Sequence, residues 1–272
     1  MTTAPPPTER VTTLLTTFGL TTAAQECVPR FTLAGHAGAV PVLQEVLDLE
    51  RDARQQRRID RLRRASRLPP GKTFDTLEAT RFPAPLIARL RELAAGHFVD
   101  TATNVLAFGL PGVGKSHALA ALGHALVQAG HAVLFVPAYA LVQDLLAAKR
   151  ALELPRALRK LDLFEVVILD DLGYVQQSPE EAEVLFTLIA ERYERRSLAV
   201  TSNLVFSQWD RIFKDQMATA AAIDRLVHHA VILEFDVTSY RTDQATRNLQ
   251  AVAPPRARGR PPVSVLKRKR AR

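Results

Sequence analysis

One segment of the sequence has residue types and a spacing suited to binding a nucleotide. Residues 109–116 are Gly-Leu-Pro-Gly-Val-Gly-Lys-Ser, which fits the pattern G-x-x-x-x-G-K-[ST]. The glycines let backbone N–H groups curl around phosphate oxygens, where a side chain would block the approach. Lys115 is expected to reach the β- and γ-phosphates of ATP, and Ser116 to offer its hydroxyl to Mg²⁺. The alternative is a plain glycine-rich turn.

Two adjacent carboxylates stand at the end of an apolar run further along the chain. The run 166–169 has the character of a buried strand, and Asp170 and Asp171 follow it directly. At this position Asp170 is suited to hold Mg²⁺ through its water shell. Asp171 would then orient or deprotonate an attacking water. The alternative is a strand that ends in an Asp-rich turn, since Leu172 and Gly173 come next.

Two more polar residues have positions that suit phosphate chemistry. Asn203 ends the next predicted strand, and ligands of parallel sheets lie beyond the carboxyl ends of the strands. Asn203 is therefore a candidate to hydrogen-bond a γ-phosphate or a water, although asparagine is also common in turns. Arg225 lies in a helical stretch, off the face marked by Ile223 and Leu226. By position alone, Arg225 is simply an exposed and solvated arginine.

These residues are carried by alternating strand and helix patterns. From about Thr101 onward, apolar runs of four or five residues alternate with stretches of helical periodicity. Continuous apolar strands separated by helices indicate an α/β fold, with a parallel sheet covered on both faces. The helix after Ser178 begins with a capping box, with Pro179 at N1 and Glu181 at N3. The predicted strands are 105–108, 132–136, 166–169, 198–201 and 231–235, and the predicted helices are 115–129, 139–151, 178–195 and 220–228.

The first hundred residues have a different pattern. Residues 11–67 have helical spacing, shown by Val42, Val46 and Leu49, and Pro69-Pro70-Gly71 ends the helix. The predicted organisation is a disordered, Thr- and Pro-rich N-terminus (1–10), a small all-α domain for DNA binding and assembly (11–68), a connector with short helices (69–100), the nucleotide-binding domain (101–245) and a basic disordered tail (246–272).

Positive charge is concentrated in two segments. The formal net charge of the whole chain is +8, yet residues 254–272 alone carry eight Lys and Arg and no acid. Residues 51–67 hold eight arginines against two aspartates. Either segment alone is typical of a solvated charge run, but two of them together favour contact with a polyanion such as DNA. The predicted DNA contacts are Arg54, Arg57, Arg58, Arg61, Arg64, Arg268 and Arg270.

Composition excludes several classes of protein. The chain has 272 residues, of which 47% are hydrophobic and 24% charged. These are ordinary globular values, so wholesale disorder is excluded. No apolar run approaches the ~20 residues of a membrane span, so no membrane partner is expected. Cys27 is the only cysteine, which allows no internal disulfide and indicates the reducing cytoplasm.

Together these motifs resemble those of one family. Residues 101–241 resemble the AAA+ ATPase domain of IstB-like transposition helper proteins, which are related to the DnaC helicase loaders. The matching stretches are GLPGVGKSH (109–117), VVILDDLGY (166–174), VTSNLVFSQW (200–209), AAIDRLVHH (221–229) and SYR (239–241). The Arg-rich helix and PPGKTFDTL (69–77) are similar to the family's N-terminal domain, so the resemblance covers roughly 10–245. The P-loop alone is unspecific, and its combination with DRLVHH and SYR is more specific.

The resemblance implies a helper from a bacterial mobile element. Such proteins bind ATP with Mg²⁺, assemble into homo-oligomers on duplex DNA and deliver a target to a DDE-type transposase. Asp170 and Asp171 become the Walker B pair, Asn203 falls at sensor 1, and Arg225 falls at the arginine finger that acts on the ATP of a neighbouring subunit. The implied site consists of nucleotide contacts from Gly109, Pro111, Gly112, Val113, Gly114, Lys115, Ser116, His117 and a sensor-2-like Arg241, metal contacts from Ser116 and Asp170, and catalytic Asp171, Asn203 and Arg225.

Two features depart from the general AAA+ pattern. Many AAA+ proteins have Glu where Asp171 stands, although Asp-Asp is usual in this subgroup. Most also carry a helical lid after the last strand, and the 18 residues between Phe235 and the basic tail are too few to form one. The nucleotide is therefore expected to be held mainly between subunits.

Three other functions remain open at this point. The nearest is a replicative helicase loader of the DnaC type, which would have a helicase rather than a transposase as its partner. The second is a small-molecule P-loop kinase, which would need an Arg-rich lid and leaves the basic tail unexplained. The third is a DNA-binding structural protein that uses ATP only as an assembly ligand.

Overall fold

The computed structural model describes residues 5–173, 178–213 and 215–237. Arg241, the SYR stretch that contains it, and the basic tail with Arg268 and Arg270 lie outside the described residues. Within the described ranges, no helix is both long and apolar enough to cross a membrane.

A five-stranded parallel sheet forms the centre of the chain. Its strands are β1 (Asn104–Gly109), β2 (Val133–Pro137), β3 (Val166–Leu172), β4 (Ser197–Ser202) and β5 (Ala230–Phe235), in the spatial order β2-β3-β4-β1-β5. The P-loop strand β1 therefore lies between β4 and β5, and Val105 pairs with Ala199 on one side and Val231 on the other. All four strand pairings are parallel.

Hydrophobic cores cover both faces of this sheet. Along β1, Val105 and Ala107 belong to one core, and Leu106 and Phe108 belong to the other. Successive side chains of a strand point to opposite faces, so a continuous apolar strand requires cover on both sides. One core contains helices α4 (Ala84–Ala94) and α6 (Lys115–Gln128), and the other contains α7 (Ala138–Arg150), α8 (Leu154–Leu161), α9 (Pro179–Arg192), α10 (Asp210–Phe213) and α11 (Gln216–Val227). The predicted α/β fold is confirmed.

Helix boundaries follow the capping signals closely. The capping box at Ser178 is present, and α9 begins at Pro179. Helix α11 begins at Gln216, earlier than predicted, because the Asp215 carboxylate caps it by accepting from the Ala218 N–H. Helix α8 was not predicted, because two turns with a proline near the start give too short a periodic pattern.

The described N-terminal residues begin with three helices: α1 (Pro7–Thr17), α2 (Thr21–Leu33) and α3 (Val40–Ala65). Helix α1 begins inside the segment 1–10 that was expected to be disordered. Pro7 opens this helix, where the fixed φ of proline is favourable. Arg10 then forms an ion pair with Asp48 of α3 at 2.8 Å. This three-helix unit has its own small core, which includes Val11, Leu15 and Val40.

The C-terminal end of α3 is fastened to the sheet. The Ser66 carbonyl accepts a hydrogen bond of 2.7 Å from the Phe135 N–H of the edge strand β2. About two turns earlier on α3, the Arg58 guanidinium donates to the Gly130 carbonyl at 3.1 Å. The connector then runs through α4 and the short helix α5 (His97–Asp100) into β1. The arginine-rich half of α3 is therefore held against the nucleotide-binding domain.

A buried arginine ties the starts of β3 and β4 together. Arg192, the last residue of α9, is 1% exposed. Its guanidinium donates to the carbonyls of Leu161, Phe164, Glu165 and Ser197 at distances of 3.0–3.2 Å. Burial lowers the pKa of Arg192 to about 10, so the side chain remains charged at neutral pH.

Replacing Arg192 with leucine is expected to lower the free energy of unfolding by at least about 3 kcal/mol, because four carbonyls lose their donor. Urea denaturation measures the loss. The matched control is Arg195→Leu, because Arg195 is exposed and its ion pairs with Asp162 and Glu191 contribute about 0–1 kcal/mol. Equal losses in the two variants would contradict this role of Arg192.

Candidate functional site

The P-loop connects β1 to α6. A side chain at its Gly109 or Gly114 would cause a steric clash or backbone strain. A Cβ at Gly109 would lie 2.5 Å from the Phe235 carbonyl oxygen. Gly114 has φ +101° directly before the first turn of α6. The backbone there is in a region open mainly to glycine, and the N–H groups at the start of α6 are free of intrahelical partners, as in any helix.

The lysine of the motif is buried against the same loop. Lys115 is 5% exposed, and its Nζ donates to the carbonyl oxygens of Gly109 at 2.7 Å and Leu110 at 2.9 Å. Ser116 follows in the first turn of α6 and is half-buried. The Lys115 cation, the Ser116 hydroxyl and the N-terminus of α6 therefore lie close together. Hydrogen-bond donors of these three kinds suit phosphate oxygens.

A cavity of about 310 Å³ brings the separate sequence motifs together. The P-loop forms one wall, and Asp171 and Asn203 lie at the ends of neighbouring strands. The P-loop residues in its lining are Pro111, Gly112, Val113, Gly114, Lys115, Ser116 and His117. Groups that can donate hydrogen bonds to phosphate therefore share one cavity with a carboxylate and an amide. This combination fits a nucleotide with bound Mg²⁺.

The connector forms a wall of this cavity that sequence analysis missed. The connector residues in the lining are Lys72, Thr76, Leu77, Glu78, Arg81 and Phe82. His117 holds this wall in place, because its Nε2 lies 3.1 Å from both the Thr73 carbonyl oxygen and the Thr76 Oγ1. The sequence feature that could have indicated this wall is the segment PPGKTFDTL (69–77). The cavity therefore has a cover from its own chain, where we expected the neighbouring subunit to provide most of it.

The two carboxylates sit at an irregularity between β3 and β4. The register of the two strands shifts between Leu169 and Leu172, and Asp171 adopts φ +60°. Asp170 is half-buried and Asp171 is exposed. Because of this irregularity, the two side chains need not point to opposite faces as in a regular strand. Asp171 lines the cavity.

Arg225 lies apart from this cavity. Among the described residues that line the cavity, none belongs to α11. The Arg225 Nη1 donates to the Ala221 carbonyl at 3.0 Å, and its guanidinium carbon lies 5.2 Å from the centre of the Phe186 ring. The side chain is half-buried in a shallow groove with Tyr193 and Met217. The structure does not bring Arg225 to the P-loop of its own chain.

The five predicted DNA contacts on α3 are all exposed but differ in their partners. Arg54 and Arg57 form ion pairs with Glu50, and Arg58 donates to a backbone carbonyl as described above. Among the described residues, Arg64 donates only to the Asp60 carbonyl, at 3.2 Å. In the part of the chain that the structure describes, Arg61 has no hydrogen bond or ion pair. Among these five arginines, Arg58, Arg61 and Arg64 thus have no ion-pair partner in the described residues. Arg58 is committed to the Gly130 carbonyl of the nucleotide-binding domain, which leaves Arg61 and Arg64.

Sequence comparison finds similarity to ATP-binding proteins of insertion sequences. The family model described as "IstB-like ATP binding protein" matches residues 13–248. The chain is similar to an insertion sequence ATP-binding protein of Sinorhizobium fredii, with 44% identity over 82% of this chain and 73% of the relative. It is also similar to the insertion sequence IS21 ATP-binding protein of Pseudomonas aeruginosa, with 40% identity over 72% and 74% of the two chains.

Solved structures share the fold at low sequence identity. AMPPCP-bound DnaA from Aquifex aeolicus matches with a TM-score of 0.54 and 14% identity over 68% of this chain and 56% of that chain. DnaI matches with a TM-score of 0.53 and 19% identity over 64% and 96%. At such identities the likeness concerns the AAA+ P-loop architecture alone.

Proposed function

The chain belongs to the family of IstB-like ATP-binding proteins, which are AAA+ P-loop ATPases, and from that premise we propose that it is a DNA-binding helper of a DDE-type transposase. ATP binding orders the interface between subunits of a homo-oligomer on duplex target DNA. Hydrolysis releases the assembly, and the assembled protein stimulates transposition. Its relatives are ATP-binding proteins of insertion sequences, which supports a transposase over a helicase as the partner.

We propose the following roles for the side chains of the cavity. Lys115 and Ser116 hold the phosphates, and Ser116 and Asp170 hold Mg²⁺, which neutralises charge on the phosphate oxygens when bound. Asp171 orients or deprotonates the attacking water, and Asn203 hydrogen-bonds that water or the γ-phosphate. The observation that carries this proposal is the convergence of Lys115, Asp171 and Asn203 on one cavity from three separate stretches of the sequence.

DNA binding is assigned to the two basic segments. On α3, Arg61 and Arg64 are the principal phosphate contacts, because no described carboxylate pairs with them and neither bonds to the nucleotide-binding domain as Arg58 does. Arg54, Arg57 and Arg58 add to the local positive potential. Arg268 and Arg270 in the tail contribute further contacts. Each phosphate contact by a cation contributes about 0.9 to the slope of log K against log salt.

The double replacement Arg61→Ala with Arg64→Ala is expected to reduce the salt slope of duplex-DNA binding by about 1.8, from two lost contacts. Fluorescence anisotropy at several salt concentrations measures the slope. The matched control is Arg54→Ala with Arg57→Ala, which removes the same charge from the same helix but takes it from ion pairs with Glu50. This control is expected to change the slope by less than half as much. An equal effect of the two double variants would contradict the proposal that Arg61 and Arg64 contact DNA more strongly than Arg54 and Arg57.

A reconstituted transposition reaction tests the function itself. The proposed partner, a DDE-type transposase, is supplied with donor ends, target DNA and ATP, and strand transfer is measured with and without the protein. Stimulation that requires ATP supports the helper role. Loading of a replicative helicase onto DNA, without any effect on strand transfer, would instead favour the DnaC-like alternative.

A further inference from the structure

A buried hydroxyl on β4 contacts both residues of the Asp170–Asp171 pair. Thr201 is 0% exposed. Its Oγ1 donates to the Asp170 Oδ1 at 2.7 Å and accepts from the Asp171 backbone N–H at 2.8 Å. A threonine hydroxyl has one proton to donate and two lone pairs to accept with, so the direction of both bonds is fixed.

The two bonds have different consequences for the carboxylates. The bond to Oδ1 holds the Asp170 side chain in one orientation, and among the described residues no donor contacts its other oxygen, Oδ2. That oxygen remains available for water or metal. The bond from the Asp171 N–H provides a partner where the strand register shifts between Leu169 and Leu172. This bond gives the part-buried amide a protein partner, and such a partner is lost when the hydroxyl is removed.

Asp171 depends on this support because its backbone is strained. Its φ of +60° lies in the left-handed region, which is unfavourable for a residue other than glycine. A conformation of this kind persists only where the surroundings fix it. The Thr201 hydroxyl is the described side-chain group that bonds to this peptide, so it helps to hold the Asp171 side chain toward the cavity.

We propose that Thr201 is a positioning residue that sets Asp170 for the metal and Asp171 for the attacking water. The inference rests on the roles proposed above for these two aspartates. Thr201 also pairs with Ala107 of the P-loop strand and lies two residues before Asn203. The hydroxyl thus links β4 to β3, and the strand pairing places the same residue beside β1. Residues that orient metal-binding groups typically change metal affinity or activity by about 10–100-fold when they are replaced.

The test compares Thr201→Val, which keeps the shape but removes the hydroxyl, with Thr201→Ser, which keeps the hydroxyl. Two quantities are measured: Mn²⁺ affinity by electron paramagnetic resonance in the presence of a non-hydrolysable ATP analogue, and ATP hydrolysis against metal concentration. Thr201→Val is expected to weaken Mn²⁺ binding and slow hydrolysis by about 10–100-fold. Thr201→Ser is expected to restore both, and binding of the analogue without metal is expected to be unchanged.

A matched control separates positioning from general stability. Ser202→Ala also removes a buried hydroxyl from β4, but this hydroxyl bonds to the carbonyls of Leu172 and Leu204 and not to the aspartates. Its Mn²⁺ affinity should equal that of the wild type even where its melting temperature falls. If Thr201→Val does not fold, Thr201→Cys takes its place in the same comparison, since a thiol is a weak donor.

The outcomes distinguish this inference from the function on which it rests. Wild-type metal affinity and hydrolysis in a folded Thr201→Val protein would overturn the role of Thr201 and leave the ATPase intact. An equal loss of Mn²⁺ affinity in Ser202→Ala would also overturn it, because the effect would then be one of packing. Absence of metal-dependent ATP hydrolysis in the wild type would instead reject the proposed function.

Discussion

Replacing Arg225 with alanine is expected to lower the rate of ATP hydrolysis by about 10³-fold or more, with ATP affinity unchanged. The structure places Arg225 outside the cavity of its own chain, so the residue is not needed to bind nucleotide there. A planar guanidinium suits the oxygens of a γ-phosphoryl group in the transition state. If α11 of one subunit faces the P-loop of the next, Arg225 supplies this cation in trans. Steady-state hydrolysis and nucleotide titration measure the two effects.

A mixing experiment tests whether the arginine acts between subunits. Arg225→Ala and Asp171→Asn are each expected to be inactive alone. An interface between them can combine the intact Asp171 of the first with the intact Arg225 of the second, so the mixture should regain activity. The absence of recovery in assemblies shown to contain both variants would reject the trans role. Arg225 would then be a surface residue packed on Phe186.

Replacing Lys115 with alanine is expected to weaken ATP binding by about 10–100-fold, because a charge-assisted hydrogen bond contributes about 1.5–3 kcal/mol. Lys115 is bonded to the carbonyls of Gly109 and Leu110, so it already lies at the phosphate-binding loop. Titration with a fluorescent ATP analogue measures the change.

The control for Lys115→Ala is a lysine remote from the P-loop. Lys149 on α7 forms an ion pair with Glu183, and Lys149→Ala should bind ATP like the wild type. Thermal unfolding of both variants shows whether the loop still folds. Unchanged ATP affinity in a folded Lys115→Ala protein would contradict the proposal that the P-loop binds the phosphates of ATP.

The sheet was predictable because its signals are local. Each strand is a short apolar run, and the capping box at Ser178 marked the start of α9 without any knowledge of the fold. The P-loop was equally visible, since its glycines and Lys115 are contiguous. The shared fold of DnaA and DnaI agrees with the parallel sheet that these local patterns predict.

Helical periodicity in α3 was right, but it did not identify the buried face. Val42, Val46 and Leu49 have helical spacing, yet they are 61%, 55% and 70% exposed. Leu43 and Leu47 pack against the N-terminal core instead. A 26-residue helix with apolar residues on two faces gives a pattern that fits either choice, and only its packing against α1 decides between them.

The parts of the site that sequence analysis missed depend on contacts between distant segments. The connector wall is held by His117, which contacts Thr73 at a separation of 44 residues. Thr201 contacts Asp170 at a separation of 31 residues. Neither pair has a local spacing rule, because the β-sheet and the turn after α3 bring them together. Motif spacing identifies groups that react, but not the groups that orient them.

Assembly on DNA tests the central claim most directly. The protein is mixed with duplex DNA alone, with ATP, or with a non-hydrolysable ATP analogue, and the mass of the complexes is measured by sedimentation. We expect multi-subunit complexes on DNA only with nucleotide, longer-lived with the analogue than with ATP, and absent for Lys115→Ala at ATP concentrations that saturate the wild type. Monomers on DNA regardless of nucleotide, or complexes that form equally with Lys115→Ala, would contradict an ATP-dependent DNA-binding helper.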